Sequence, residues 1–277
     1  MKQLTCLTIA ACASLALALT AFGGPESLPS GKEMKQVAPA PVPECDFTWT
    51  GFYLGGNFGY GWGNADTDFD PLPSAARFFD LEPTTLNPDP SGFIGGGQIG
   101  FNWQWNKWLV LGIESDFQGT DIEGHDTQSP IFDITGAPDV AGTKLDAHER
   151  IQWFGSTRGR IGFAPWCRVL LYATGGVAYG NVDYSANTDF GSGRHNGITY
   201  PVSFSQTNVG WTAGAGIEYA VGHHWTVKAE YLYYDLGNED RTQNQLLFGV
   251  PNGPPFFVHY NFETTGNIVR GGFNYKF

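Results

Sequence analysis

The chain has 277 residues, of which 38 are Gly, with 15% aromatic and only 15% charged side chains. That glycine share, about twice the ordinary one, argues against a mainly helical domain, and so much aromatic side chain argues against disorder. Acidic residues outnumber basic ones 27 to 15, a net charge of -12, which disfavours nucleic acid as a partner because phosphate binding needs cationic side chains.

Lys2 followed by an apolar run from Leu4 to Leu19 and the small residues Ala21 and Gly23 reads as a signal peptide over residues 1–23. A lipoprotein-type cut before Cys12 would leave an apolar run of only about 8 residues, at the short end for a signal. The protein is therefore expected to be exported. Residues 24–48 shift to Pro, Ala, Gly and Ser, with Pro39, Pro41 and Pro43 alternating, as in an extended semi-rigid linker outside any core. Cys6 and Cys12 leave with the signal, and Cys45 and Cys167 remain as an even pair in an oxidising compartment, which makes a Cys45–Cys167 disulfide the expectation.

From residue 49 onward the sequence alternates with a period of two in eight segments, the mark of strands with one apolar face. The apolar parity carries Phe52, Leu54, Phe58, Tyr60 and Trp62 in the first segment, then Phe93, Ile99, Phe101 and Trp103, then Leu109, Leu111, Ile113 and Phe117. It continues with Trp153, Thr157, Ile161 and Phe163, with Val169, Leu171, Ala173, Val177 and Tyr179, and with Trp211, Ala213, Ala215, Ile217 and Tyr219. Trp225, Val227, Ala229, Tyr231 and Tyr233 form the seventh set, and Val269, Phe273, Tyr275 and Phe277 the last. The opposite parity holds isolated charges among Gly and amides: Glu114, Asp116, Arg158, Arg160, Glu218, Lys228, Glu230 and Arg270.

A soluble sandwich would turn those charges to water. Two features favour the inverse arrangement, with the apolar face in lipid. Most of the apolar faces carry an aromatic near each end, as bilayer-crossing strands of ~9–11 residues do, and the opposite face is too rich in Gly for a solvated surface. Connections alternate short (105–107, 164–166, 221–223) and long and polar (64–90, 121–148, 185–202, 241–257). The expected fold is all-β, an eight-stranded antiparallel up-and-down transmembrane barrel over residues 49–277. It would place four long loops outside the cell and both termini in the periplasm. No later apolar run approaches the ~20 residues of a membrane helix.

The segment FTWTGFYLGGNFGYGWG (Phe47 to Gly63) resembles the first strand of the eight-stranded outer-membrane proteins of the opacity and OmpA-like superfamily. The nearest branch is that of the alphaproteobacterial major surface antigens and hemin-binding proteins. STRGRIGFA from Ser156, YATGGVAYG from Tyr172, WTAGAGIEYA from Trp211, VKAEYLYYDLG from Val227 and VRGGFNYKF from Val269 continue the likeness. The resemblance implies an outer-membrane location, with Phe273, Tyr275 and the terminal Phe277 read by the outer-membrane assembly machinery. It leaves the loops, where function would lie, unassigned.

Gly95, Gly97 and Gly100 spell the G-x-G-x-x-G of dinucleotide sites, which requires a following helix. Here it falls inside a strand and reads as close packing. Glu218 with Glu230, or Glu114 with Asp116, could be an acid/base pair, but four inward cations favour a neutralising network in the barrel interior. His223 and His224 adjoin at a turn and would point to opposite faces, a poor metal site. His125, His148, His195 and His259 fall in or near loops without a nucleophile that spacing assigns to them. The first two long loops each carry a charge of about -5, and D-x-D-x-D at residues 66–70 lacks the Gly and Glu of a calcium loop. The reading is a non-enzymatic scaffold with no metal and no cofactor, partnered by outer-membrane lipid and lipopolysaccharide, whose acidic loops meet an extracellular ligand. A porin-like channel and a rim-site lipid A enzyme are the alternatives.

Overall fold

The computed structural model describes residues 46–73, 75, 83–129, 143–190, 197–251 and 256–277. Eight long strands close into a ring: β1 (Gly51–Asn64), β4 (Ser91–Gln104), β5 (Leu109–Gln128), β6 (Thr143–Trp166), β7 (Val169–Phe190), β8 (Ile198–Ala220), β9 (Trp225–Asn244) and β12 (Phe257–Lys276). Each pairs antiparallel with the next, and β12 returns to β1 through Tyr53↔Lys276 to Asn64↔Thr265. A closed ring leaves no strand edge to satisfy in lipid. Four short strands lie off it: β2 (Thr67–Pro71), β3 (Thr84–Leu86), β10 (Leu246–Leu247) and β11 (Val250–Pro251).

At one end, the turn end, strands are joined by short links at residues 105–108, 167–168 and 221–224. The apolar parity faces outward around this half of the barrel: Phe58, Phe93 and Ile161 are 71%, 74% and 56% exposed. Two aromatic bands flank it. Phe117, Trp153 and Tyr179 form a run of ring contacts at 5.4 and 6.4 Å on the loop side. Trp103 with Trp105, and Trp225 with Tyr275, do so at the turn end, at 5.2 and 5.1 Å.

The strands run well beyond that belt. Half of the residues expected as a polar loop at 121–148, most of those at 185–202 and part of 241–257 are strand, so the loops are shorter than their composition implied. In the extension the hydrophobic phase inverts. Odd residues of β7 point outward throughout, but beyond Gly180 the apolar side chains Val182, Tyr184, Ala186 and Phe190 occupy the inward, even positions, while Asp183, Ser185, Asn187 and Asp189 face out. On β6 a bulge between Ile151 and Trp153 makes the same exchange, leaving Leu145, Ala147 and Ile151 buried. The outside has changed from an apolar belt to water, so the same pleat now needs the opposite pattern.

The ladder between β8 and β9 stops at Trp211↔Asp235, although β8 stays paired with β7 as far as Asp189↔Thr199. Gly237 adopts φ +79° where β9 leaves β8, a conformation that favours glycine. Beyond it β9 pairs with β12 alone. Across the parting, the Arg241 guanidinium lies 4.1 Å over the Phe204 ring, which stacks on Tyr184 at 5.1 Å.

Candidate functional site

The interior is filled in three layers. At the turn end the segment before β1 folds inward, so that Phe47 and Trp49 pack with Val110, Ala164, Leu170, Tyr172 and Ala220. Phe47 is buried, which corrects the expectation that the linker stays outside the core through residue 48. Lys276 Nζ lies 5.2 Å from the Phe47 ring centre, and Gln104 Oε1 accepts the Trp49 N–H at 2.9 Å.

The middle layer holds all eight charges assigned to the interior, each at most 5% exposed. Glu114 and Arg158 face each other across β5 and β6, Glu218 and Lys228 across β8 and β9, and Glu230 and Arg270 across β9 and β12. Arg158 spans the lumen, donating to Glu114 at 2.7 Å, Asp116 at 2.8 Å and Glu230 at 3.1 Å. Arg270 grips Glu230 through Nε at 2.8 Å and Nη2 at 2.6 Å and reaches Asp116 at 2.7 Å. Lys228 Nζ donates to both oxygens of Glu114 at 2.8 and 2.9 Å. Arg160 pairs with Glu218 at 2.7 Å. Four cations meet four anions, and the layer carries no net charge. Arg158 Nε, Arg160 Nε and Arg270 Nη1 have no protein acceptor.

Glycines make room for this layer. Gly100 pairs with Tyr53 and with Glu114, and a Cβ there would lie 2.3 Å from the Tyr53 ring. Tyr53 lies in that gap and donates to Glu114 Oε2 at 2.8 Å. Gly216 repeats the device, with Tyr172 over it donating to Glu230 at 3.1 Å. The Arg160 guanidinium stacks over Tyr172 at 3.9 Å. Gly100 of the nucleotide-like motif thus serves strand packing, and Gly95 and Gly97 lie with it mid-strand in β4.

Above the charges comes the aromatic layer, which sequence reasoning missed. Phe69, Phe154, Tyr184, Phe190, Tyr200, Tyr234, Tyr260 and Phe262 are buried inside the extension with aliphatic neighbours. One carboxyl sits among them. Glu149, on the loop side of Trp153 and 1% exposed, accepts a 2.9 Å hydrogen bond from Thr264, whose hydroxyl also meets Tyr184 OH at 2.8 Å. Burial pushes the Glu149 carboxyl up to about 8.

Of the remaining expected residues, Phe273, Tyr275 and Phe277 lie on the outward face at the end of β12, with Phe277 donating its N–H to Phe52 O at 3.0 Å. Cys167 is disulfide-bonded. Cys45, its expected partner, lies outside the described residues. Arg168 Nη2 pairs with Asp46 at 2.5 Å and its hydrogen bond holds the Asp46 carboxyl below the usual range. Residues adjacent to the two cysteines are therefore in contact.

A closed ring of strands with an apolar outer belt and a filled polar lumen defines a membrane-spanning β-barrel. The profile of the outer membrane protein beta-barrel domain matches residues 37–251. The chain is 38% identical over 248 residues to the 31 kDa outer-membrane immunogenic protein of Brucella melitensis, covering 87% of this chain and 88% of that one. It is 30% identical over 205 residues to a 22 kDa outer membrane protein of Rhizobium leguminosarum bv. viciae, covering 73% and 70%. Among solved structures, the outer membrane protease OmpT of Escherichia coli aligns over 81% of this chain and 97% of its own at 10% identity, with a TM-score of 0.46. The chain belongs to the outer-membrane β-barrel protein family and is an outer-membrane protein.

Proposed function

We propose that this protein is a non-conducting, non-enzymatic scaffold that contributes to envelope integrity and displays its loop end at the cell surface. Both termini would face the periplasm, and Phe273, Tyr275 and Phe277 would be the surface read during assembly. Lipid and lipopolysaccharide would contact the belt, while the acidic loop end is the surface for an extracellular ligand. One observation carries the reading: the lumen is occupied at every level by the Trp49 layer, the neutral charge layer and the aromatic layer. Eight strands enclose just enough space for side chains to fill, whereas open aqueous channels in this architecture use about 16 strands.

The names of the curated relatives, outer-membrane immunogenic proteins, agree with display rather than catalysis. The test is solute entry. Vesicles holding the purified protein and exposed to isosmotic arabinose or glucose should swell no faster than protein-free vesicles. Swelling that scales with protein content and falls with sugar size would replace the scaffold with a channel.

A further inference from the structure

Two of the histidines that spacing left apart are brought together by the extension. His125 on β5 and His148 on β6 are directly opposed in register, on the outward wall beyond the aromatic band, with ring centroids 6.3 Å apart. A metal bound through imidazole nitrogen at ~2.0–2.1 Å lies about 3.2 Å from each ring centre, so two rings sharing one ion stand at most about 6.4 Å apart. The observed separation falls inside that limit. A tetrahedral angle would bring the centres to about 5.2 Å, a shift that exposed side chains make by small rotations.

The surroundings orient one ring for the task. Thr127 Oγ1 donates to Asp146 Oδ1 at 2.6 Å and so accepts from His125 Nε2 at 3.0 Å. That arrangement puts the His125 proton on Nε2 and leaves the Nδ1 lone pair free. It is the carboxylate-linked support that metal-binding imidazoles use, with the hydroxyl of Thr127 inserted between. Arg150 and Lys144 lie nearby, but each has an acidic neighbour: Arg150 faces Glu123 across the ladder, and Lys144 pairs with Asp146 at 2.8 Å. No three His, Cys, Asp or Glu side chains among the described residues form a ready metal cluster, so the protein's share is two nitrogens.

We propose that His125 and His148 together bind one divalent transition-metal ion of the copper or zinc class on the outer wall of the barrel, with water completing its coordination. Two imidazoles without thiolate select such ions over calcium or magnesium, and copper is held most tightly of the first-row series. The ion would staple β5 to β6 close to their connection.

The experiment titrates Cu²⁺ alone into the full-length barrel in detergent, followed by calorimetry and electron paramagnetic resonance. The expected result is one ion per chain with hyperfine structure from two nitrogens. His125→Ala and His148→Ala should each weaken binding at least tenfold, and Thr127→Val, which leaves both rings but removes the orienting hydroxyl, about tenfold or more. Gel migration of unheated samples confirms that each variant is folded. Equal copper binding by the parent and the His125→Ala, His148→Ala double variant overturns the proposal, because the acidic surface would then be the ligand. Absence of binding by the folded parent overturns it as well.

Discussion

Arg158→Ala separates a filled lumen from a wet one. The side chain touches three carboxylates, and removing one partner of a buried ion pair costs roughly 3–5 kcal/mol where nothing replaces it. Replacement here is partial. Glu114 keeps Lys228 at 2.8 Å and Arg160 at 3.4 Å, Asp116 keeps Arg270 at 2.7 Å, and Glu230 keeps Arg270 at 2.6 Å. The layer nevertheless becomes net negative, with a vacated volume in its centre. The loss should therefore fall at the low end, about 3 kcal/mol, or roughly a hundredfold in the unfolding equilibrium. Arg158→Lys keeps the charge but cannot fork to several acceptors, and should lose less. Urea unfolding from lipid vesicles, read by tryptophan fluorescence and by gel migration without heating, measures both. If Arg158→Ala stays within about 0.5 kcal/mol of the parent, as ordinary solvated surface substitutions do, the charges are hydrated in an open lumen and the layered-plug account is wrong.

Ala215→Arg, mid-belt and outward on β8, should cost about 2–4 kcal/mol, whereas Val209→Arg, outward and directly opposite Tyr179 of the loop-side aromatic band, should cost at most about 1 kcal/mol; equal costs in the same unfolding assay would misplace the belt. Glu149 has a folded pKa raised from 4.5 to about 8, so its contribution is fully present below pH 4.5 and is lost as pH rises to about 8, at up to about 1.4 kcal/mol per pH unit. Glu149→Gln should flatten that decline and be the more stable protein at pH 8.5, and a parallel pH profile for the two would place the carboxyl in water. Cys45→Ser should leave Cys167 open to alkylation without reductant, while in the parent both thiols should be protected; a Cys45 that alkylates freely in the unreduced parent would assign Cys167 another partner.

The lower half of the barrel was legible because one rule governs it: outward residues meet an apolar belt and inward residues meet one another. Phe52, Leu54 and Phe58 therefore announce the phase of β1, and Glu114, Asp116 and Arg158 announce the lumen. The upper half follows the same pleat with the opposite hydrophobicity. Asp183, Ser185, Asn187 and Asp189 look like loop residues until Val182, Tyr184, Ala186 and Phe190 are read as the buried parity. That alternation is out of phase with the lipid-facing one, so its polar members fall on the parity that carries the apolar belt. The Gln152 bulge further obscured it on β6 by shifting the parity within a single strand. What the sequence does not encode locally is which charge meets which. Arg270 and Asp116 are far apart in the chain and meet at 2.7 Å only because the ring closes between β12 and β1. The opposition of His125 and His148 likewise depends on the β5–β6 register, which is invisible when both are assigned to a loop.

Single-channel recording in planar bilayers tests the central claim most directly. With the purified, folded barrel inserted from either side at high salt, the filled lumen predicts a baseline without stable unitary steps, and rare leakage events that increase in Arg158→Ala. Reproducible openings of one defined conductance in the unmodified protein, present in every active membrane and absent from protein-free controls, would contradict it.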